Sequence, residues 1–222
     1  MTDSTNQVIA AWQPRVLAIA TAASDSDGAH DSAHLHRVWA NARALMAAAP
    51  EDNADPLIVL AACYLHDLVN VPKTDPRRAQ ASRLSAVAAC AALAASGFPA
   101  DLLDGVAHAI EAHSYSAALP AETPEARIVQ DADRLDALGA VGLARLFYTA
   151  GRMGSSLAHG ADPLALHRPL DDRSYALDHI VAKLAALPAM MQTAAGRALA
   201  HERLTGLLAF REQFAREWSA AA

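Results

Sequence analysis

The sequence predicts an all-α protein, a single-domain helical bundle, on three observations. The chain is 53% apolar, rich in Ala and Leu, with only 5% aromatic residues and few β-branched ones, a balance that favours helix over strand by intrinsic propensity. Its apolar residues recur at helical spacing through most of the length. The interruptions carry ordinary turn chemistry. At 222 residues the chain suits one sizeable domain with a real core.

The elements follow in order. A first helix is expected over Asn6–Ala23, ended by the turn-rich "TAASDSDGAHDS". A second runs over Ser32–Ala49, with Asp31 or Ser32 as its cap, and "PEDNADP" separates it from a third over Pro56–Val69. Helices over Arg78–Ser96 and Ala100–His113 are divided by "SGFP", whose Gly ends one and whose Pro stands near the start of the next. A long helix is expected over Pro124–Ala150. The segment "HGADPLALHRPLDDR" is the longest irregular piece and reads as an ordered loop beside the site. Arg173–Leu187 and Met191–Trp218 complete the bundle. No internal repeat appears.

Charge excludes some partners. The formal net charge is −6, and no window gathers the Lys and Arg density that a nucleic-acid backbone demands. The start, "MTDSTNQVIAAWQPRV", has no basic segment leading into an apolar one, and no apolar stretch reaches the roughly 18 residues needed to span a bilayer. No membrane partner and a cytoplasmic location are the expectation. Cys63 and Cys90 lie in Ala-rich helical patterns and read as buried thiols.

"AACYLHDLV", residues 61 to 69, sets His66 and Asp67 side by side in an apolar run. A carboxylate taken out of water without a partner costs several kcal/mol, on the order of the penalty for buried ions, so a cation, a metal or a hydrogen-bond network must compensate it. Two other segments supply similar groups: "HDSAHLHRVWANA" with His34 and His36, and "IVQDADRLDALGA" with Asp131, Asp133 and Asp136. These come from three separate expected helices, and bundles build metal sites where such helices meet. Neighbouring helical residues point about 100° apart, so His66 and Asp67 share an ion only if it sits between them. A mixed N and O donor set suits a borderline or hard divalent ion with open positions. The helical wheel does not choose among the three aspartates: Asp131 and Asp136 flank its apolar face, and Asp133 lies further round.

H-x-x-R-V (His34, Arg37, Val38), the His66–Asp67 pair and A-D-R-L (Ala132 to Leu135) together resemble the H…HD…D signature of the HD-domain metal-dependent phosphohydrolases. "LHDLVNVPK", "IEAHSYS", "IVQDADRLDALGAVGLARLF", "HRPLDD" and "MQTAAGRALAHER" are similar to the YedJ-like and YpgQ-like bacterial branch. The resemblance covers most of the chain after residue 25, with signature blocks in 30–140 and a helical completion in 141–222. It implies one divalent ion (Mn, Mg, Fe, Ni, Co or Zn) held by His34, His66, Asp67 and Asp133. His36 is then left as a surface residue and Asp131 as the fallback ligand.

The resemblance further implies hydrolysis of a small phosphorylated substrate, with nucleoside triphosphate pyrophosphohydrolysis the leading class. A nucleotidase, a phosphodiesterase and a metal-containing regulatory module without turnover are the alternatives, in a monomer or homodimer. In the catalytic roles stand Lys73 on a substrate phosphate, His113 as the acid for the leaving oxygen, and Asp136, with Arg134, tying the site together. Arg78 and Arg168 are further substrate-contact candidates. Arg77 reads as part of a solvated turn, and His167 as a second candidate in the "HRPLDD" loop. Asp171 and Asp172 read as helix-start residues.

Overall fold

A computed structural model describes residues 3–23, 32–71, 75–114, 117 and 119–219. Among them the helices are α1 (Asp3–Ala23), α2 (Ser32–Ala48), α3 (Pro56–Leu65), α4 (Ala81–Ala95), α5 (Leu103–His113), α6 (Pro124–Asp136), α7 (Gly139–Arg152), α8 (Asp178–Ala182) and α9 (Ala194–Ser219), joined by short 3₁₀ turns. No strand occurs among the described residues, and one isolated parallel bridge pairs Ser156 with Tyr175. The all-α expectation holds. The chain divides into two compact units, Met1–Asp133 and Arg134–Ala222.

In the first unit α3 is the central element. Its segment "LIVLAACYL" is buried on every side from Leu57 to Leu65, as befits a helix that is apolar all round, and α1, α2 and α5 pack against it. Its start is specified locally. Asp55 accepts from the backbone N–H groups of Leu57 and Ile58, and Pro56 occupies the first turn, where its missing N–H costs nothing. The α4 helix packs on α5, and Trp12 of α1 meets Phe98 edge to face, with ring centroids 5.0 Å apart.

The third helix is shorter than its sequence suggests. It stops at Leu65 because the Val69 N–H donates to the Ser85 hydroxyl at 3.0 Å instead of to a helical carbonyl. His66 and Asp67 therefore lie in the turn that follows the helix.

In the second unit α7 and α8 pack on α9, and Phe147 of α7 meets Phe210 and Phe214 of α9 with centroids 5.8 and 6.2 Å away. Two expectations are corrected here. The helix expected over Pro124–Ala150 is two helices, α6 and α7. Gly139 takes a positive φ of 72°, the left-handed conformation that ends helices. A Cβ on Gly142 would stand 2.2 Å from the Ala137 carbonyl oxygen, so only glycine lets α7 start so close to that turn.

The helix expected over Arg173–Leu187 shrinks to α8 and a 3₁₀ segment, Leu184–Met190. Upstream of it, the Ala176 and Leu177 N–H groups donate to the Ser156 and Leu157 carbonyls, which takes those donors away from any helix. Among the described residues no helix is long and apolar enough to cross a membrane.

Candidate metal centre

The first unit brings five of the expected side chains together. His34 projects from the first turn of α2, His66 and Asp67 from the turn after α3, His113 from the last residue of α5, and Asp133 from α6. Ending α3 at Leu65 frees Asp67 from the helical azimuth, and its Oδ2 comes to 3.6 Å from His66 Nε2. His34 Nε2 lies 3.4 Å from His66 Nε2. Asp133 Oδ1 lies 3.6 Å from the first and 3.7 Å from the second. On the other side Asp67 Oδ1 is 3.6 Å from His113 Nε2.

These atoms form two triads, His34–His66–Asp133 and His66–Asp67–His113, each with its ligand atoms within 4.8 Å of one another. Donors bound to one ion at about 2.0–2.2 Å stand roughly 2.8–3.6 Å apart for angles near 90–110°, and the separations found lie near the upper end of that range. The tautomers fit as well. His66 Nδ1 is 3.0 Å from the Cys63 carbonyl and His113 Nδ1 is 2.6 Å from the Ile110 carbonyl. A carbonyl only accepts, so each Nδ1 carries the proton, and Nε2 of the neutral ring is a lone pair. A hydrogen bond from the second ring nitrogen is how proteins orient ligating histidines. His66 Nε2 belongs to both triads and offers one lone pair, so it serves one ion.

The imidazoles form the floor and the carboxylates the rim. His34 and His66 are 1% and 0% exposed, whereas the Asp67 and Asp133 side chains are 41% and 30% exposed. Burial lowers the pKa of His66, against the charges of Asp67 and Asp133. For His113 burial acts the same way, but the Asp67 hydrogen bond and the Asp133 charge outweigh it and its pKa is raised. Burial also pushes up the Cys63 thiol, which with Cys90 is free.

Asp131 is fully buried and lies in neither triad. Asp136 pairs with Arg145, which reaches both its carboxylate and its carbonyl, and Arg134 donates to the Met190 carbonyl at 2.5 Å. Arg78 spends one N–H on the Val71 carbonyl at 2.7 Å. Arg77 pairs with Asp75 at 2.9 Å. Lys73 lies outside the described residues. In the second unit Arg168 grips the buried Asp178 with both terminal nitrogens, at 2.6 and 2.8 Å, with its guanidinium over the Tyr175 ring.

His36 is exposed, as expected, and its Nδ1 is 2.7 Å from the Tyr64 hydroxyl, which also accepts from Gln13. Two groups that sequence reasoning did not single out also enter the frame of the site: Ser85, which holds the turn after Asp67, and Asn41, which donates to the Ala132 carbonyl. The signal for Asn41 is its spacing of seven residues from His34, which sets both on one face of α2.

Known proteins share this arrangement of sequence. Residues 32–138 match the HD domain. The chain is 34% identical over 198 residues to the uncharacterized protein YpgQ of Bacillus subtilis (strain 168), covering 87% of each. Its fold is similar to that of B. subtilis YpgQ in complex with ADP, with TM-score 0.68 and 33% identity over 91% of this chain and 97% of that one. It is also similar to an HD-superfamily hydrolase from Bacillus thuringiensis, with TM-score 0.71 and 27% identity over 97% and 99%. With that identity sustained over most of YpgQ, and the HD match spanning the segment that carries all five clustered side chains, the chain belongs to the HD-domain superfamily, in its YpgQ-like bacterial branch.

Proposed function

We propose that the protein is a metal-dependent phosphohydrolase that acts on a nucleotide, with nucleoside triphosphate pyrophosphohydrolysis the leading reaction. The observation that carries this reading is the convergence of His34, His66 and Asp133 donor atoms within 3.4–3.7 Å, with a lone pair of His66 aimed inward. The relatedness to an HD-superfamily hydrolase supports hydrolysis. The ADP complex of YpgQ supports a nucleotide.

His34, His66, Asp67 and Asp133 would hold one divalent ion. When bound, such an ion lowers the pKa of a coordinated water and polarises a phosphoryl oxygen. His66 fixes its lone pair by giving its Nδ1 proton to the Cys63 carbonyl, so this ligand reorganises little on binding. The exposed carboxylate rim leaves a side open for substrate. Asp67 reaches His113 Nε2 with its second oxygen and favours the protonated ring, from whose Nε2 a proton can pass to the leaving oxygen. Lys73 and Arg78 follow the His66–Asp67 turn in sequence and are assigned to substrate phosphates as charge-assisted donors. Asp136 and Arg168, each paired with an opposite charge, are assigned to the frame.

Metal analysis of protein purified without chelator, run with a nucleotide and phosphoester panel on the same preparation, tests the reading. We expect about one divalent ion per chain and release of pyrophosphate from a nucleoside triphosphate. Release of inorganic phosphate from monophosphates alone would move the reaction to a nucleotidase. Bound metal with no turnover of any phosphate ester or anhydride would overturn it.

A further inference from the structure

We infer that Asn41 is a positioning residue for the metal centre, acting through the peptide group of Asp133; the inference rests on the ion-binding reading above. Asn41 is a buried amide on an α2 face otherwise lined by Val38, Ala42 and Leu45. An amide among apolar side chains is costly unless its hydrogen bonds are made. Its Nδ2 donates to the Ala132 carbonyl at 3.0 Å, across 91 residues of sequence. That carbonyl belongs to the peptide unit whose nitrogen is that of Asp133, so the amide holds the backbone of the ligand itself.

The same two helices meet a second time at the ion. Seven residues is close to two helical turns, so His34 projects from the same face of α2, and its Nε2 lies 3.6 Å from Asp133 Oδ1. Asn41 and His34 thus span α2 and α6 at two points, one at the peptide and one at the carboxylate. Sliding α6 along α2 breaks the first and opens the second. The device recurs at α5, where Gln130 Nε2 donates to the Ala112 carbonyl at 2.6 Å, in the peptide unit that precedes His113. Gln130 provides a control, because His113 is not a ligand in this reading.

The experiment is calorimetric titration with MnCl2 of the full chain in four forms: wild type, Asn41→Ala, Asp133→Asn and the double variant. Asn41→Ala should weaken Mn²⁺ binding about 10–100-fold, the range typical of partners that orient ligands. In the Asp133→Asn background it should change binding less than about threefold, because the group it positions no longer ligates. Gln130→Met should also bind within about threefold of wild type.

Wild-type affinity in Asn41→Ala, an equal loss in both backgrounds, or an equal loss in Gln130→Met would each overturn the assignment. Asn41→Leu keeps the volume if the alanine variant does not fold. Failure of both to fold would also overturn it, by placing the amide's role in the fold. Absence of Mn²⁺ binding by the wild type would instead overturn the ion-binding reading, and is seen before any Asn41 variant is made.

Discussion

The Nε2 atoms of His34 and His66 face each other at 3.4 Å, and the His66 atom is a lone pair because its other nitrogen gives its proton to the Cys63 carbonyl. Burial disfavours adding a proton there. A cation suits this place better than a proton does, since it can be shared with Asp67 and Asp133 on the open side.

Removing a ligand should therefore empty the site without unfolding the chain. His66→Ala and Asp67→Ala are each expected to lose bound metal, by more than the roughly 10–100-fold typical of outer partners, together with hydrolysis. Helical circular dichroism should persist. Elemental analysis showing wild-type stoichiometry in either variant would remove that residue from the ligand set.

Asp133→Asn and Asp131→Asn should separate. Asp133 reaches both histidines, while Asp131 is fully buried outside both triads. We expect Asp133→Asn to be purified without the ion while keeping weak Mn²⁺ binding in titration, and Asp131→Asn to lower the melting temperature while keeping the ion. The reverse order, read by metal content and thermal melts, would make Asp131 the ligand.

Lys73→Ala should leave metal content unchanged and lower kcat/KM by about tenfold to a hundredfold, roughly the 1.4–2.7 kcal/mol of a charge-assisted phosphate contact. Arg77→Ala should change little, since that side chain is 67% exposed and already paired with Asp75. Wild-type kinetics for Lys73→Ala would move the phosphate contact to Arg78 or His113.

Arg168→Ala should act on stability. It would leave the Asp178 carboxylate, which is 0% exposed, without its bidentate partner, and breaking a buried pair in this way costs about 3–5 kcal/mol. A large fall in melting temperature is expected. A normal melt with a raised KM would instead make Arg168 a substrate contact.

The pH dependence of the second unit should show the ion pair at Asp172. The Lys183 ammonium, against some desolvation and with help from His179, holds the Asp172 carboxyl below its ordinary pKa. A depressed folded pKa means stability that is present above the unfolded value and lost as pH falls through the folded one. Asp172→Asn should therefore cost roughly 0.5–1 kcal/mol at neutral pH, as surface pairs do. That cost should fade as the pH drops below the ordinary carboxylate range of about 4. A cost unchanged at acid pH, measured by denaturant unfolding, would show that charge is not its source.

The sequence by itself determined the helical class, the start of α3 at Asp55–Pro56 and the positions of α1, α2 and α5. These depend on propensity, caps and apolar period, which act within a few residues of chain. It also set His34 and the His66–Asp67 pair apart as chemistry in apolar surroundings. Only the tertiary structure decided the rest. The end of α3 depends on a hydroxyl sixteen residues away on α4. The break before α7 was not read from the sequence, because it comes from the approach of the Ala137 carbonyl to Gly142. Among three aspartates on one helix, periodicity did not favour Asp133. Its place among the donors depends on how α6 lies against α2, where Asn41 grips the Ala132 carbonyl and His34 comes to 3.6 Å, and helix-to-helix distances of that kind are set by packing between segments far apart in sequence.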